Sequence, residues 1–148
     1  MSISIQRILF ATDFSEPARN AQQFAVAFSE KFGAQLHVLH CVSEEALVPA
    51  PDLAAEWLHA EVNRARQQLT KEIGGTCSAR LEVRPGNPVQ EIIRYAGEMA
   101  IDLIVIGTHG RSGLSHVLLG SVAEKVVRLA TCPVLTVHPQ NHSFVMSK

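Results

Sequence analysis

The sequence predicts an α/β fold, an open parallel sheet with helices on both faces. Strand-like and helix-like runs alternate along the 148 residues, and each right-handed crossover between parallel strands must lay a helix on one face of the sheet. Leu103-Ile104-Val105-Ile106 is a continuous apolar run bounded by Asp102 and Gly107, the pattern of a central parallel strand covered on both sides. Apolar residues make up 47% and charged residues 18%, which suits a packed core rather than a disordered chain. A chain of this size buries roughly 70% of its unfolded surface. No composition break divides it, so residues 1–148 are expected to form a single domain, with a frayed polar tail from about 139.

Ile3, Ile5 and Ile8-Leu9-Phe10 form the first strand candidate, ending at Thr12-Asp13. From Ser15 the period becomes helical, with Ala21, Ala25, Phe28 and Phe32 on one face and Phe24 beside them. Ser15 can cap that helix, Pro17 suits its first turn and Gly33 can end it. Leu36 to Val42 reads as the second strand, with His37 and His40 flanking it as packed or surface residues. A Pro-bearing connection, Ser43 to Asp52, leads to a long helix marked by Leu58, Val62, Ala65, Leu69 and Ile73 and closed by Gly74-Gly75. The third strand is short, about Ala79 to Arg84. Pro85-Gly86-Asn87-Pro88 then turns into a helix carrying Val89, Ile92, Ile93, Ala96 and Met99 on one face. After the 103–106 strand and a glycine-spaced loop, Val122, Val126, Leu129 and Ala130 trace the last helix, and Val134-Leu135-Thr136-Val137 the last strand.

With 13 basic and 14 acidic side chains the net charge is near zero. No global field recruits nucleic acid or an anionic membrane, so neither is expected as a partner and a polyanion has to be bound locally. Cys41, Cys77 and Cys132 are odd in number and widely spaced. Without a CxxC pair they read as small buried hydrophobes in a reducing compartment. Met1 to Arg7 lacks the layout of a signal peptide, and no apolar run approaches the roughly 20 residues of a membrane span. A cytoplasmic location is the expectation.

Gly107-Thr108-His109-Gly110 is followed by nine residues and then Gly120-Ser121, between a strand-like and a helix-like run. No Asp or Glu occurs from Leu103 to Ala123, while His109, Arg111, His116 and Lys125 lie in or beside the stretch, so a phosphate would meet little repulsion. At Gly107 and Gly110 the missing side chain can let a phosphate reach backbone N–H groups, or can simply permit a positive φ in a turn. Gly113 beside Ser112 reads as an ordinary turn. Gly120-Ser121 opens the last helix, where free N–H groups and the positive dipole end favour an anion. Ser121-Val122-Ala123-Glu124 also matches a capping box, in which Ser121 closes the helix start. Arg111 has a fork suited to phosphate, or is a solvated loop residue. His109 is positioned where it could donate to phosphate. Ligands of open parallel sheets bind beyond the carboxyl ends of the strands where strand order reverses, and the strand ends at Thr12-Asp13 and at Gly107 are expected side by side there. Asp13 would then offer a carboxylate to a ribose or adenine edge, its alternative being a turn-forming Asp ahead of Ser15. Neither a Walker GxxxxGK[ST] motif, a Rossmann GxGxxG motif nor an HExxH pair is present.

These residues resemble the universal stress protein family along nearly the whole chain. Ile8-Leu9-Phe10-Ala11-Thr12-Asp13-Phe14-Ser15 is similar to the family's opening strand and Asp. Asp102 to Gly110, Gly120-Ser121-Val122-Ala123-Glu124 and Cys132-Pro133-Val134-Leu135-Thr136-Val137 are similar to its carboxyl half. The Gly-x-x-Gly-x9-Gly-Ser pattern resembles the branch that binds ATP. The resemblance implies a Rossmann-like, five-stranded parallel sheet in the order 3-2-1-4-5 with a nucleotide at the switch point. Thr12 and Asp13 would meet the ribose or adenine end, and Cys41 would offer backbone groups to adenine where the family has Val. Ile106 and Gly107 would line the pocket, and Gly110, Gly120, Ser121 and Val122 would hold the phosphates. Ala11 stands where the family often has Pro. The resemblance also implies a homodimer through Val134 to Val137, an apolar edge otherwise open to unwanted pairing.

The function this predicts is a nucleotide-dependent stress-response or signalling module, in which ATP orders the Thr108 to Leu119 loop for a protein partner. The nucleotide could equally be ADP or AMP, and Mg2+ or Mn2+ would be held through the phosphates. The second hypothesis is a slow ATP hydrolase or phosphotransferase, for which the sequence offers no evident general base beside the phosphates. The third is a dimeric interaction module without bound nucleotide.

Overall fold

The computed structural model describes residues 2–43, 51–75, 78–109 and 119–139. The strands β1 (Arg7–Ala11), β2 (Gln35–Val42), β3 (Ala79–Pro85), β4 (Leu103–Gly107) and β5 (Val134–Val137) form one sheet in the order β3-β2-β1-β4-β5. Every neighbouring pair is parallel. The helices are α1 (Glu16–Phe32), α2 (Ala54–Ile73), α3 (Pro88–Glu98) and α4 (Ser121–Leu129), with a 3-10 turn at Pro51–Leu53 leading into α2. This is the fold class and strand order expected from the sequence. The direction of winding reverses at β1, which pairs with β2 on one side and β4 on the other.

Alternation along each strand decides which layer a side chain serves. Ile8, Phe10, Leu36, Val38 and Val105 join Ala21 and Ala25 of α1 and Leu69 and Ile73 of α2 in one buried cluster. Leu9, Leu39, Ile104 and Ile106 join Ile92 and Tyr95 of α3 and Ala123 and Val126 of α4 in the other. Because both faces are covered, the central strands carry unbroken apolar runs, and each fully buried Leu, Ile or Phe contributes about 1.5–3 kcal/mol relative to exposure.

Helix boundaries follow local chemistry. Ser15 accepts the Ala18 N–H at 3.2 Å, and Gly33 at φ 62° ends α1 in the left-handed conformation that glycine adopts without steric penalty. Asn87 accepts the Gln90 N–H at 3.1 Å ahead of Pro88, starting α3. Asp102 pins the start of β1, its Oδ2 accepting the N–H groups of Gln6 and Arg7 at 2.8 and 3.0 Å.

Three expectations are corrected. His37 and His40 do not flank the second strand; they lie inside β2, buried on opposite faces, because the run from Gln35 to Val42 pairs along its full length. Phe32 is half-exposed, since the last turn of α1 leaves it packed on Phe28, with ring centroids 6.0 Å apart, instead of on the sheet. Leu129 is 55% exposed because the inward face of α4 is carried by Ala123 and Val126.

Candidate functional site

A cleft of about 210 Å³ opens at the carboxyl ends of β1 and β4. Thr12 and Asp13 border it after β1, and Gly107, Thr108 and His109 at the end of β4. Leu39 and Cys41 come from β2, Pro88 and Ile92 from the start of α3, and Gly120, Ser121, Val122 and Ala123 from the start of α4.

The turn after β1 is densely bonded. The Thr12 N–H donates to the Leu39 carbonyl at 3.0 Å, and Thr12 Oγ1 accepts the Phe14 N–H at 3.1 Å. Asp13 Oδ1 accepts the Ser15 N–H at 3.0 Å, so the turn-forming role of Asp13 is present together with its place on the cleft. Phe14 has φ 64°, a left-handed conformation uncommon for a bulky residue, and its ring lies against His40 with centroids 4.3 Å apart. His40 Nδ1 is 2.8 Å from the Thr12 carbonyl.

The start of α4 differs from the capping box the sequence suggested. The cap residue is Gly120, at φ −60° and ψ 156°, with no side-chain cap bond. Ser121 is therefore the first helical residue, one position too late to cap, and Glu124 pairs with Arg128 instead of reaching back. The Gly120 N–H donates to the Thr108 carbonyl, joining the two ends of the β4–α4 connection. The first intrahelical bond runs from the Glu124 N–H to the Gly120 carbonyl, so the amides of Ser121, Val122 and Ala123 have no partner within the helix. They carry the positive end of the α4 dipole to the edge of the cleft.

Gly107 departs from the turn reading of its sequence. Its φ is not positive, and a Cβ there would meet the Pro17 carbonyl oxygen at 3.2 Å. The glycine lets β4 pack closely under the first turn of α1. His109 is buried, with Nδ1 3.0 Å from Thr108 Oγ1. Cys41 is half-buried, and burial, with Glu91 adding to it, pushes its thiol up to about 12, so the cleft meets a neutral thiol. The Thr12 N–H bonds the Leu39 carbonyl and the Gly86 N–H bonds the Val42 carbonyl. Since successive strand residues turn their backbone groups to opposite sides, Cys41 turns its own toward the β1 side, beyond the last residue of β1 paired with β2.

Of the residues singled out from sequence, Thr12, Asp13, Cys41, Ile106, Gly107, His109, Gly120, Ser121 and Val122 border this one cleft. Gly110 and Arg111 lie outside the described residues, as do Gly113, His116, Cys77 and most of the 108–119 loop. Sequence reasoning missed Thr108, Leu39, Pro88 and Ile92. The Asn87-Pro88 helix start was the available signal for the last two, because a helix linking β3 to β4 crosses β2 and β1 and begins at their carboxyl edge. Among the described residues no group of three His, Cys, Asp or Glu could hold a metal ion, and no helix is long and apolar enough to cross a membrane.

The universal stress protein family model matches residues 4–138. The chain is 34% identical over 139 residues to universal stress protein MJ0531 of Methanocaldococcus jannaschii, covering 89% of this chain and 81% of that protein. The solved structure of MJ0577 from the same organism matches with a TM-score of 0.80 at 29% identity, over 95% of this chain and all of that one. A universal stress protein solved in complex with cAMP matches with a TM-score of 0.64 over 93% of this chain and 99% of that one, at 24% identity, a likeness of fold. On the family match and the first of these relatives, the chain belongs to the universal stress protein family.

Proposed function

We propose that the cleft binds an adenine nucleotide, ATP first among them, and that the protein is a nucleotide-dependent stress-response or signalling module. One observation carries the reading: the Asp13 carboxylate and the amides of Ser121, Val122 and Ala123, which have no partner within α4 and no cap from Gly120, border the same cleft at the switch point, from opposite ends of the chain. Asp13 suits the hydroxyls of a ribose, the outward backbone of Cys41 suits an adenine edge, and the α4 start suits phosphate. The apolar surfaces of Ile92, Ile106 and Val122 suit the faces of a base. At the level of the fold, the protein solved with cAMP supports an adenine nucleotide as the occupant. Mg2+ or Mn2+ would be held by the phosphates rather than by a protein cluster.

Among the described residues bordering the cleft, Asp13 is the one carboxylate, and its Oδ1 already accepts the Ser15 amide. The described groups therefore favour binding, with occupancy as the signal that a protein partner reads. The last strand, an edge of the sheet with Val134, Leu135 and Thr136 half-buried, would pair two copies into a homodimer.

The deciding experiment is release of whatever co-purifies with the protein by heat, its identification by mass spectrometry, and thermal melting with added ATP. ATP at about 100 times its dissociation constant should add roughly 2.7 kcal/mol of stability. Absence of released nucleotide together with an unmoved melt would favour an empty interaction module. ATP turnover well above background would replace the binding module with an enzyme.

A further inference from the structure

We propose that His40 is a positioning residue for the nucleotide site: from the far face of the sheet it fixes both chain neighbours of Asp13 and so sets where that carboxylate stands. The inference rests on the nucleotide reading above and goes beyond it, since His40 does not border the cleft. Alternation along β2 turns Leu39 and Cys41 toward the cleft and His40 the other way.

The Thr12 carbonyl belongs to the peptide plane that ends at the Asp13 nitrogen, and His40 Nδ1 lies 2.8 Å from that oxygen. A carbonyl oxygen only accepts, so Nδ1 carries the proton and donates. Phe14, on the other side of Asp13, holds a left-handed φ of 64°. A bulky residue pays roughly 1–2 kcal/mol for that conformation, and it persists where the surroundings over-determine it. The surroundings are again His40, whose ring packs against Phe14 with centroids 4.3 Å apart at 34°. One buried imidazole on a fully paired strand thus holds the residues before and after Asp13. The local bonds, Phe14 N–H to Thr12 Oγ1 and Ser15 N–H to Asp13 Oδ1, define the shape of the turn. Together with the Thr12–Leu39 backbone bond, His40 ties that shape to the sheet.

A double-mutant cycle on ATP affinity separates this role from simple core filling. His40→Phe keeps the ring against Phe14 and removes the donor; His40→Asn returns an N–H near the position of Nδ1. We expect His40→Phe to weaken ATP binding about tenfold in the native background and less than twofold in an Asp13→Ala background, with His40→Asn recovering to within about threefold of native. Equal losses in both backgrounds, or no recovery with Asn, would overturn the proposal. Should His40→Phe fail to fold, His40→Gln, whose amide is displaced by one methylene, takes its place in the cycle. Amide exchange of Phe14 and Ser15 in nucleotide-free protein is a second readout. It should speed up about tenfold in His40→Phe and return in His40→Asn, and unchanged rates would also sink the idea. If the native protein binds no ATP, the nucleotide reading fails by itself, and the exchange rates still decide whether His40 holds the turn.

Discussion

His37 is the residue at which burial and charge are most at odds. It is 2% exposed, its Nδ1 lies 2.6 Å from the Tyr95 hydroxyl, and its Nε2 has no hydrogen-bond partner among the described residues. Burial lowers its pKa first, Arg80 and Arg7 lower it further, and Glu82 opposes them. The folded protein therefore keeps a neutral ring, while the unfolded chain takes up a proton near the ordinary value of about 6.5. The stability this confers is complete above that pH and is lost as pH falls below it toward the lowered folded-state value. Denaturant unfolding should show stability falling from pH 7 to pH 5, with a shallower fall in the double variant His37→Leu/Tyr95→Phe. Tyr95→Phe alone takes the hydroxyl away from Nδ1 and should cost about 1–3 kcal/mol. Parallel pH profiles for the native protein and the double variant would rule the assignment out. None of this was legible in the sequence, because His37 and Tyr95 stand 58 residues apart and meet only where α3 crosses β2. Gly107 was opaque for the same reason, its constraint being the Pro17 carbonyl of another element. Asp13 was readable, since a carboxylate between a strand and a capped helix has few local roles.

At the scale of elements, helix starts read well wherever the cap is local. Ser15 and Asn87 each reach an amide three residues on; Ser15 reads as a cap in the sequence, and Asn87 reads there as part of the turn that opens α3. The start of α4 read wrongly because the capping-box pattern competed with a tertiary bond: the Thr108 carbonyl takes the Gly120 N–H and moves the helix start back by one residue. That shift makes stability and binding separable. Ser121→Ala removes no cap, so it should change stability by only a few tenths of a kcal/mol, where loss of a true cap costs about 1. If the hydroxyl meets phosphate, the same substitution weakens ATP several-fold. Gly120→Ser should move stability and binding in opposite directions. The backbone at φ −60° and ψ 156° accepts Ser as readily as Gly, and the new hydroxyl would cap the Val122 or Ala123 amide. The expected outcome is a gain of a few tenths of a kcal/mol in melting with weakened ATP binding, measured by titration calorimetry. Tighter ATP binding in Gly120→Ser would mean that phosphate does not use these amides.

For the whole molecule, the layer architecture was legible because strand and helix periods alternate along the chain and the central runs of β1 and β4 are continuously apolar. The cleft was legible only as two strand ends expected to meet, and its α3 wall required the crossover to be drawn. The edge of the sheet carries the last consequence. The Ile104 N–H bonds the Pro133 carbonyl and the Thr108 N–H the Val137 carbonyl, so alternate residues of β5 face β4 while Val134 and Thr136 turn their backbone groups outward. A homodimer joined through β5 would pair those outward groups with a second copy. Thr136→Pro removes one outward N–H and no bond to β4, the setting in which an edge strand tolerates proline. The variant should therefore keep its circular dichroism and its ATP affinity while sedimenting as a monomer. A Thr136→Pro protein that stays dimeric would move the interface off this strand. Loss of both fold and dimer would be resolved by Thr136→Lys, which keeps the N–H and sets two like charges close together across a β5–β5 pairing.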